Sequence, residues 1–147
     1  MMHQANYDEL TGLSNRYNLE LAIEKILNDA DKKHIFIAID LDKFKAVNDI
    51  FGNAEGDRLL VHIAKSLEKV LKPEDFSCRS NADRFIFFTK TSGKELGILV
   101  DKLMDCIADY NLPFEIMCNM GIYVTCDTVL PAGMMIDRAR LAQSTIK

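Results

Sequence analysis

Apolar residues recur along this chain with two different periods, and the periods mark its elements. After Ser14, Leu19, Ala22, Ile23, Ile26 and Leu27 fall three and four apart, the spacing of one helix face. Ser14 is the expected N-cap, its hydroxyl accepting an orphan N–H of the first turn, and Asp31-Lys32-Lys33 closes the segment. Ile35 to Leu41 (IFIAIDL) is a continuous apolar run broken only by Asp40, the pattern of a central strand covered on both faces. Phe44 to Phe51 predicts a short helix stopped by Gly52. A longer helix runs from about Gly56 to Leu71, with Leu59, Leu60, Ile63, Ala64, Leu67, Val70 and Leu71 on its apolar face, and Pro73 ends it. Residues 77–88 (SCRSNADRFIFF) predict a hairpin turning on Asn81-Ala82, since Asn tolerates positive φ. Thr91-Ser92-Gly93 is a loop, and Leu96, Leu99, Val100, Leu103, Met104 and Ile107 define another helix face. Beyond Pro113, Ile116 to Thr125 predict a strand, and Pro131 stands ahead of a last helix from Met134 onward. Met1 to Asn6 are expected to be a frayed lead-in.

The order is helix, strand, helix, helix, strand, strand, helix, strand, helix. It predicts an α+β class: a palm-like (ferredoxin-like, split βαβ) sheet, rich in antiparallel pairs, with helices packed around it. The split βαβ pattern by itself puts those helices on one face.

Bulk properties narrow the function. The 147 residues make one domain the expectation, and the net charge is −4 with both signs mixed. Lys43 and Lys45 form a local cluster, not the basic stripe that nucleic-acid binding needs. The apolar runs are far shorter than a membrane span, so no membrane contact is expected of this domain. Cys78, Cys106, Cys118 and Cys126 include no C-x-x-C pair. They are expected as buried reduced thiols in a cytoplasmic protein.

Three stretches carry candidate chemistry. Asp40 ends a buried strand, where an acid is costly unless paired or metal-bound. Alternation puts Asp42 on its face, and such carboxylates suit Mg²⁺ or cap the following helix. Gly52 and Gly56 frame a loop that can approach a phosphate closely, with Asn48 and Asp57 nearby as turn residues. At the hairpin, Asp83 and Arg84 should point to opposite faces, and Asp83 comes near Asp40 if the hairpin lies beside Ile35–Leu41.

YDELTGLSNR (7–16) resembles the D-x-L-T-G-L-x-N-R opening of GGDEF domains, the diguanylate cyclases. IDLDKFKAVNDIFGNAEGDRLL (39–60) resembles their D-x-D-x-F-K-x-x-N-D-x-x-G-H-x-x-G-D-x-x-L without a gap, with Asn53 in place of the usual histidine. ARLAQSTIK (139–147) resembles a worn A-D-x-A-L-Y-x-A-K. The resemblance implies condensation of two GTP into cyclic di-GMP across a homodimer. It implies Asp40, the Leu41 carbonyl and Asp83 as metal ligands, with Mg²⁺ as cofactor. It also implies Asn48 and Asp57 reading the guanine edge, Phe44 and Lys45 along the phosphates, and Lys147 as a phosphate-binding lysine.

The chain departs from the family at the signature. R-x-G-G-[DE]-E-F is here Arg79-Ser80-Asn81-Ala82-Asp83-Arg84-Phe85. Both glycines are replaced, and Arg84 stands for the second acid. Two unit charges about 5 Å apart at an effective dielectric of 20 exchange roughly 3 kcal/mol, and reversing one sign doubles the swing. Mg²⁺ binding is therefore expected to be weak, and no catalytic group is expected. The family's inhibitory R-x-x-D reads Lys72-Pro73-Glu74-Asp75, and Lys72 cannot make arginine's bidentate contact. The expected function is a degenerate, non-cyclising GGDEF domain, excised from a longer signalling protein. It would bind GTP or dimerise and regulate an attached output domain such as an EAL phosphodiesterase. The alternatives are an active diguanylate cyclase and a ligand-free structural domain.

Overall fold

The computed structural model describes residues 6–26, 34–90, 94–110, 115–125 and 130–144. In chain order these form α1 (Arg16–Ile26), β1 (Ile35–Leu41), α2 (Phe44–Phe51), α3 (Asn53–Val70), β2 (Phe76–Asn81), β3 (Arg84–Thr89), α4 (Lys94–Ala108), β4 (Cys118–Val124) and α5 (Ala132–Ser144). This is the order expected from the periods. The strands lie β2-β3-β1-β4 in one sheet, each antiparallel to its neighbours. The connection from β1 through α2 and α3 to β2 leaves a gap that β3 fills, which is the split βαβ arrangement.

The helices cover both faces, not one. Ile35, Ile37, Ile39 and Leu41 of β1 pack with Leu59, Ile63 and Leu67 of α3 and Leu99, Leu103 and Ile107 of α4. The alternate residues Phe36 and Ala38 pack with Ile86 and Phe88 of β3, Leu19 and Ile23 of α1, and Met135, Ile136 and Ala139 of α5. The crossover helices take one face, so α1 and α5, outside the split βαβ units, take the other. The unbroken apolar run of β1 requires both layers. Phe36, Phe87 and Ile37 are fully buried, each side chain contributing about 1.5–3 kcal/mol by leaving water.

Local details depart from the sequence reading. Asn15, not Ser14, caps α1: its Oδ1 accepts the Asn18 N–H at 2.9 Å. The Ser14 hydroxyl accepts from the Asn18 side chain at 3.1 Å, and its backbone bridges to Cys78. α3 begins at Asn53, so Gly56 lies inside a helix. Gly52, at φ 91, is the hinge between α2 and α3. α5 begins two residues ahead of Met134, with the Pro131 carbonyl accepting the Met134 and Met135 N–H groups. The expectations at residues 1–5, 27–33, 91–93, 113, 126 and 145–147 lie outside the described residues. Cys78, Cys106 and Cys118 are free thiols. Burial pushes Cys78 and Cys118 up to about 12, so neither is a ready nucleophile. Among the described residues no helix is long and apolar enough to cross a membrane.

Candidate functional site

The site is built where β1 ends beside the β2–β3 hairpin. Leu41 is the last residue of β1, and Asp42 and Lys43 turn the chain into α2. Asp42 is exposed and lies past the strand, so alternation does not align it with Asp40. Lys43 takes a left-handed φ of 60, and α2 has no side-chain cap there. The Asp42 N–H donates to the Met117 carbonyl at 2.8 Å. The Leu41 N–H donates to Asp83 Oδ2 at 3.1 Å. Asp83 thus ties the hairpin tip to β1 one residue beyond the last β1–β3 backbone pair, Asp40 with Arg84.

The hairpin turns on Ala82 and Asp83, not on Asn81-Ala82. Asn81 still belongs to β2 and pairs with Arg84, because a bulge between Arg79 and Asn81 shifts the register. Asp83 is a turn residue, so the strict alternation expected for Asp83 and Arg84 does not hold. Ala82 takes φ 44, a left-handed conformation, at a position where the family has glycine. Arg79 braces this tip. Its Nε donates to the Ala82 carbonyl at 2.8 Å, and its Nη1 donates to both Asp8 oxygens at 3.1 and 3.2 Å. Burial pushes the Asp8 carboxyl up, but the Thr11 hydroxyl and amide together with Arg79 outweigh it and hold Asp8 below its ordinary value.

Asp40 lies between strands, opposite Arg84 on β3 and Asn119 on β4. Directly opposed residues share a face. That face is the α5 side, the one Phe36 and Ala38 take. Asp40 Oδ1 is buried and has no hydrogen-bond partner among the described residues. Burial pushes the Asp40 carboxyl up; a hydrogen bond from Asn119 opposes this, the Asp83 charge adds to it, and Arg84 and Arg140 oppose it, with a net rise. Asp83 therefore does come near Asp40. Among the described residues no ion pair joins Arg84 to either acid.

The divalent cation implied by the resemblance fits this centre poorly. Asp40 offers an orphaned oxygen, but Asp83 already spends one on Leu41. Two guanidiniums act on the same spot. Among the described residues no three His, Cys, Asp or Glu side chains converge as a metal group. A hard cation needs several oxygens and net negative charge, and with Arg84 and Arg140 acting on Asp40 the negative charge is offset.

Of the two residues expected to read the guanine edge, Asn48 packs against Gly56, the residue before Asp57. A Cβ at Gly56 would lie 1.8 Å from Asn48 Oδ1 and 3.3 Å from Phe44 Cζ. The glycine lets α2 dock on α3 and lays the Asn48 amide beside the turn that carries Asp57. Asp57 is exposed and lines a cleft of about 430 Å³ with His62, Lys65 and Tyr110. Phe44 is half-buried against the core and acts as a wedge between α2 and α3, while Lys45 is exposed. A larger cleft of about 530 Å³ lies along α2, lined by Leu41, Asp42, Ile50, Phe51 and Met117, and includes neither Asn48 nor Asp57. Lys147 is outside the described residues.

Lys72 and Asp75, where the resemblance implies an inhibitory site, are bonded to each other. The Lys72 N–H donates to Asp75 Oδ2 at 3.0 Å, and the Asp75 N–H donates to the Lys72 carbonyl at 3.0 Å. Asp75 is 7% exposed, a buried staple of the turn that follows α3. Lys72 is exposed. The sequence reading missed Asp8, Asn119 and Arg140. Arg140 carried a signal, since it stands at the second position of A-D-x-A-L-Y-x-A-K, where the family has aspartate.

A family model described as "Diguanylate cyclase, GGDEF domain" matches residues 5–147. The chain belongs to the GGDEF family. It is 28% identical over 151 residues to the probable diguanylate cyclase DgcE of Escherichia coli, covering 97% of this chain and 14% of that protein. It is 29% identical over 152 residues to the cyclic di-GMP phosphodiesterase PdeR of Escherichia coli, covering 97% of this chain and 22% of that protein. The chain thus spans a minor part of the curated relatives it matches. The GGDEF domain of DgcB from Caulobacter crescentus, solved with c-di-GMP, superposes with a TM-score of 0.86 at 19% identity, covering 96% of this chain and 89% of that one, a likeness of fold.

Proposed function

We propose that this chain is a GGDEF domain that does not cyclise GTP. It serves as a guanine-nucleotide-binding, and in its parent protein dimerising, module that regulates an attached output domain such as an EAL-type phosphodiesterase. The observation that carries this reading is Arg84 standing directly opposite Asp40. Cyclisation in this family's manner needs magnesium held against a triphosphate. A cation fixed across from the main carboxylate opposes that by a few kcal/mol. The nucleotide half supports retention of binding: Asn48, Gly56 and Asp57 keep the family pattern, and Gly56 holds Asn48 in place. The phosphodiesterase PdeR carries a segment like this chain, which supports a regulatory role beside such a domain.

The test is incubation of the chain with GTP and Mg²⁺ followed by chromatography, beside an Asp40→Ala control. The expected result is no cyclic di-GMP above the control. Product above the control would show an active cyclase and overturn the reading.

A further inference from the structure

We propose that Arg84 and Arg140 take the place of the divalent cation, so that this site binds a nucleoside triphosphate without Mg²⁺. The proposal rests on the reading above that the chain binds a guanine nucleotide.

Two acid positions of the family sequence are arginine here, on different elements. Arg84 opens β3 in place of the second signature acid, and Arg140 lies on α5 in place of the motif aspartate. The fold brings both within electrostatic reach of Asp40. Arg84 is the cross-strand partner of Asp40. Arg140 comes from the helix packed on that face, where its neighbour Ala139 is fully buried against the sheet. Both guanidiniums act on the Asp40 charge. The centre therefore holds Asp40 and Asp83 against Arg84 and Arg140 and sums to zero, where three acids at 40, 83 and 84 would demand a cation.

Neither guanidinium is consumed within the described structure. Among the described residues neither Arg84 nor Arg140 makes an ion pair or side-chain hydrogen bond, whereas Arg16, Arg58 and Arg79 all do. Arg84 is half-buried beside the tip, and its fork suits the oxygens of a polyphosphate. A free Mg²⁺ would have to join a centre with no net negative charge, while the two guanidiniums, held by no ion pair among the described residues, are free to turn toward phosphate oxygens. No bond is made or broken in this step; it is binding alone.

The experiment is calorimetric titration of the chain with GTP, once with EDTA and once with millimolar Mg²⁺. Arg84→Ala, Arg84→Glu and Arg140→Ala are run in parallel, with circular dichroism confirming that each folds. The expected result is binding in EDTA at least as tight as in Mg²⁺. Arg84→Ala should weaken it about tenfold or more, the scale of one charge-assisted contact. Arg84→Glu should bind only when Mg²⁺ is present. Binding by the unaltered chain that requires Mg²⁺ would overturn the inference and leave the nucleotide-binding reading standing. Unchanged EDTA affinity in both arginine-to-alanine variants would overturn it as well. No binding of GTP in either buffer would remove the nucleotide-binding reading itself, and this inference with it.

Discussion

Single residues set the character of this site, and Gly56 shows how tightly. A methyl there would meet Asn48 Oδ1 at 1.8 Å, well inside contact distance. Gly56→Ala should therefore force the Asn48 side chain out of its place and cost about 1–3 kcal/mol, read as a lower denaturant midpoint, with loss of GTP affinity because Asn48 moves. Asp40 makes a second prediction through pH. Burial raises its carboxyl above the ordinary 3.8. A group raised in the folded state binds its proton more tightly there than in the unfolded chain. Its contribution to stability is full below the ordinary value and is lost as pH rises through the raised one. Asp40→Asn, which removes the charge that burial disfavours, should then be the more stable protein at pH 7. The gain should vanish below about pH 4. Thermal midpoints of both proteins across that range check the sign, and a gain that grows on acidification would contradict it.

At the scale of elements, the hairpin carries strain that its sequence explains. The bulge between Arg79 and Asn81 moves the turn onto Ala82-Asp83 and leaves alanine at φ 44. A left-handed residue with a Cβ costs about 1–2 kcal/mol, so Ala82→Gly should raise stability by about 1 kcal/mol in a denaturant melt. Arg79→Ala should lower it by about 2 kcal/mol, since it frees the Ala82 carbonyl and leaves Asp8 without its cation. Faster amide exchange confined to residues near the tip would locate that loss. The same hairpin marks the boundary of what the sequence made legible. Element order, and the bounds of β1 and α2, followed from periodicity, because apolar spacing is a local property. The bulge did not, because a register slip depends on the partner strand. The cap moved from Ser14 to Asn15 because Ser14 is drawn into a backbone bridge with Cys78. The motif reading of Asp75 likewise did not show its partner, the backbone of Lys72, which no motif displays. Arg140 was visible only as a misfit in a motif, and it took the packing of α5 on β1 to give the misfit a place.

Across the whole molecule, two hydrophobic layers clamp one sheet, and the site sits where a central strand runs out. β1 is held by β3 on one side and β4 on the other. Asp40 therefore cannot escape its neighbours: Arg84 and Asn119 are fixed opposite it by the ladder. The ladder holds Arg84 across from Asp40, and that placement is what the proposed separation of binding from catalysis rests on. The measurement that tests this most directly is a crystal of the chain soaked with a non-hydrolysable GTP analogue and Mn²⁺, examined for anomalous density. Nucleotide is expected with its phosphates near Arg84 and no manganese between Asp40 and Asp83. Two coordinated manganese ions at those carboxylates, with Arg84 turned away, would contradict it.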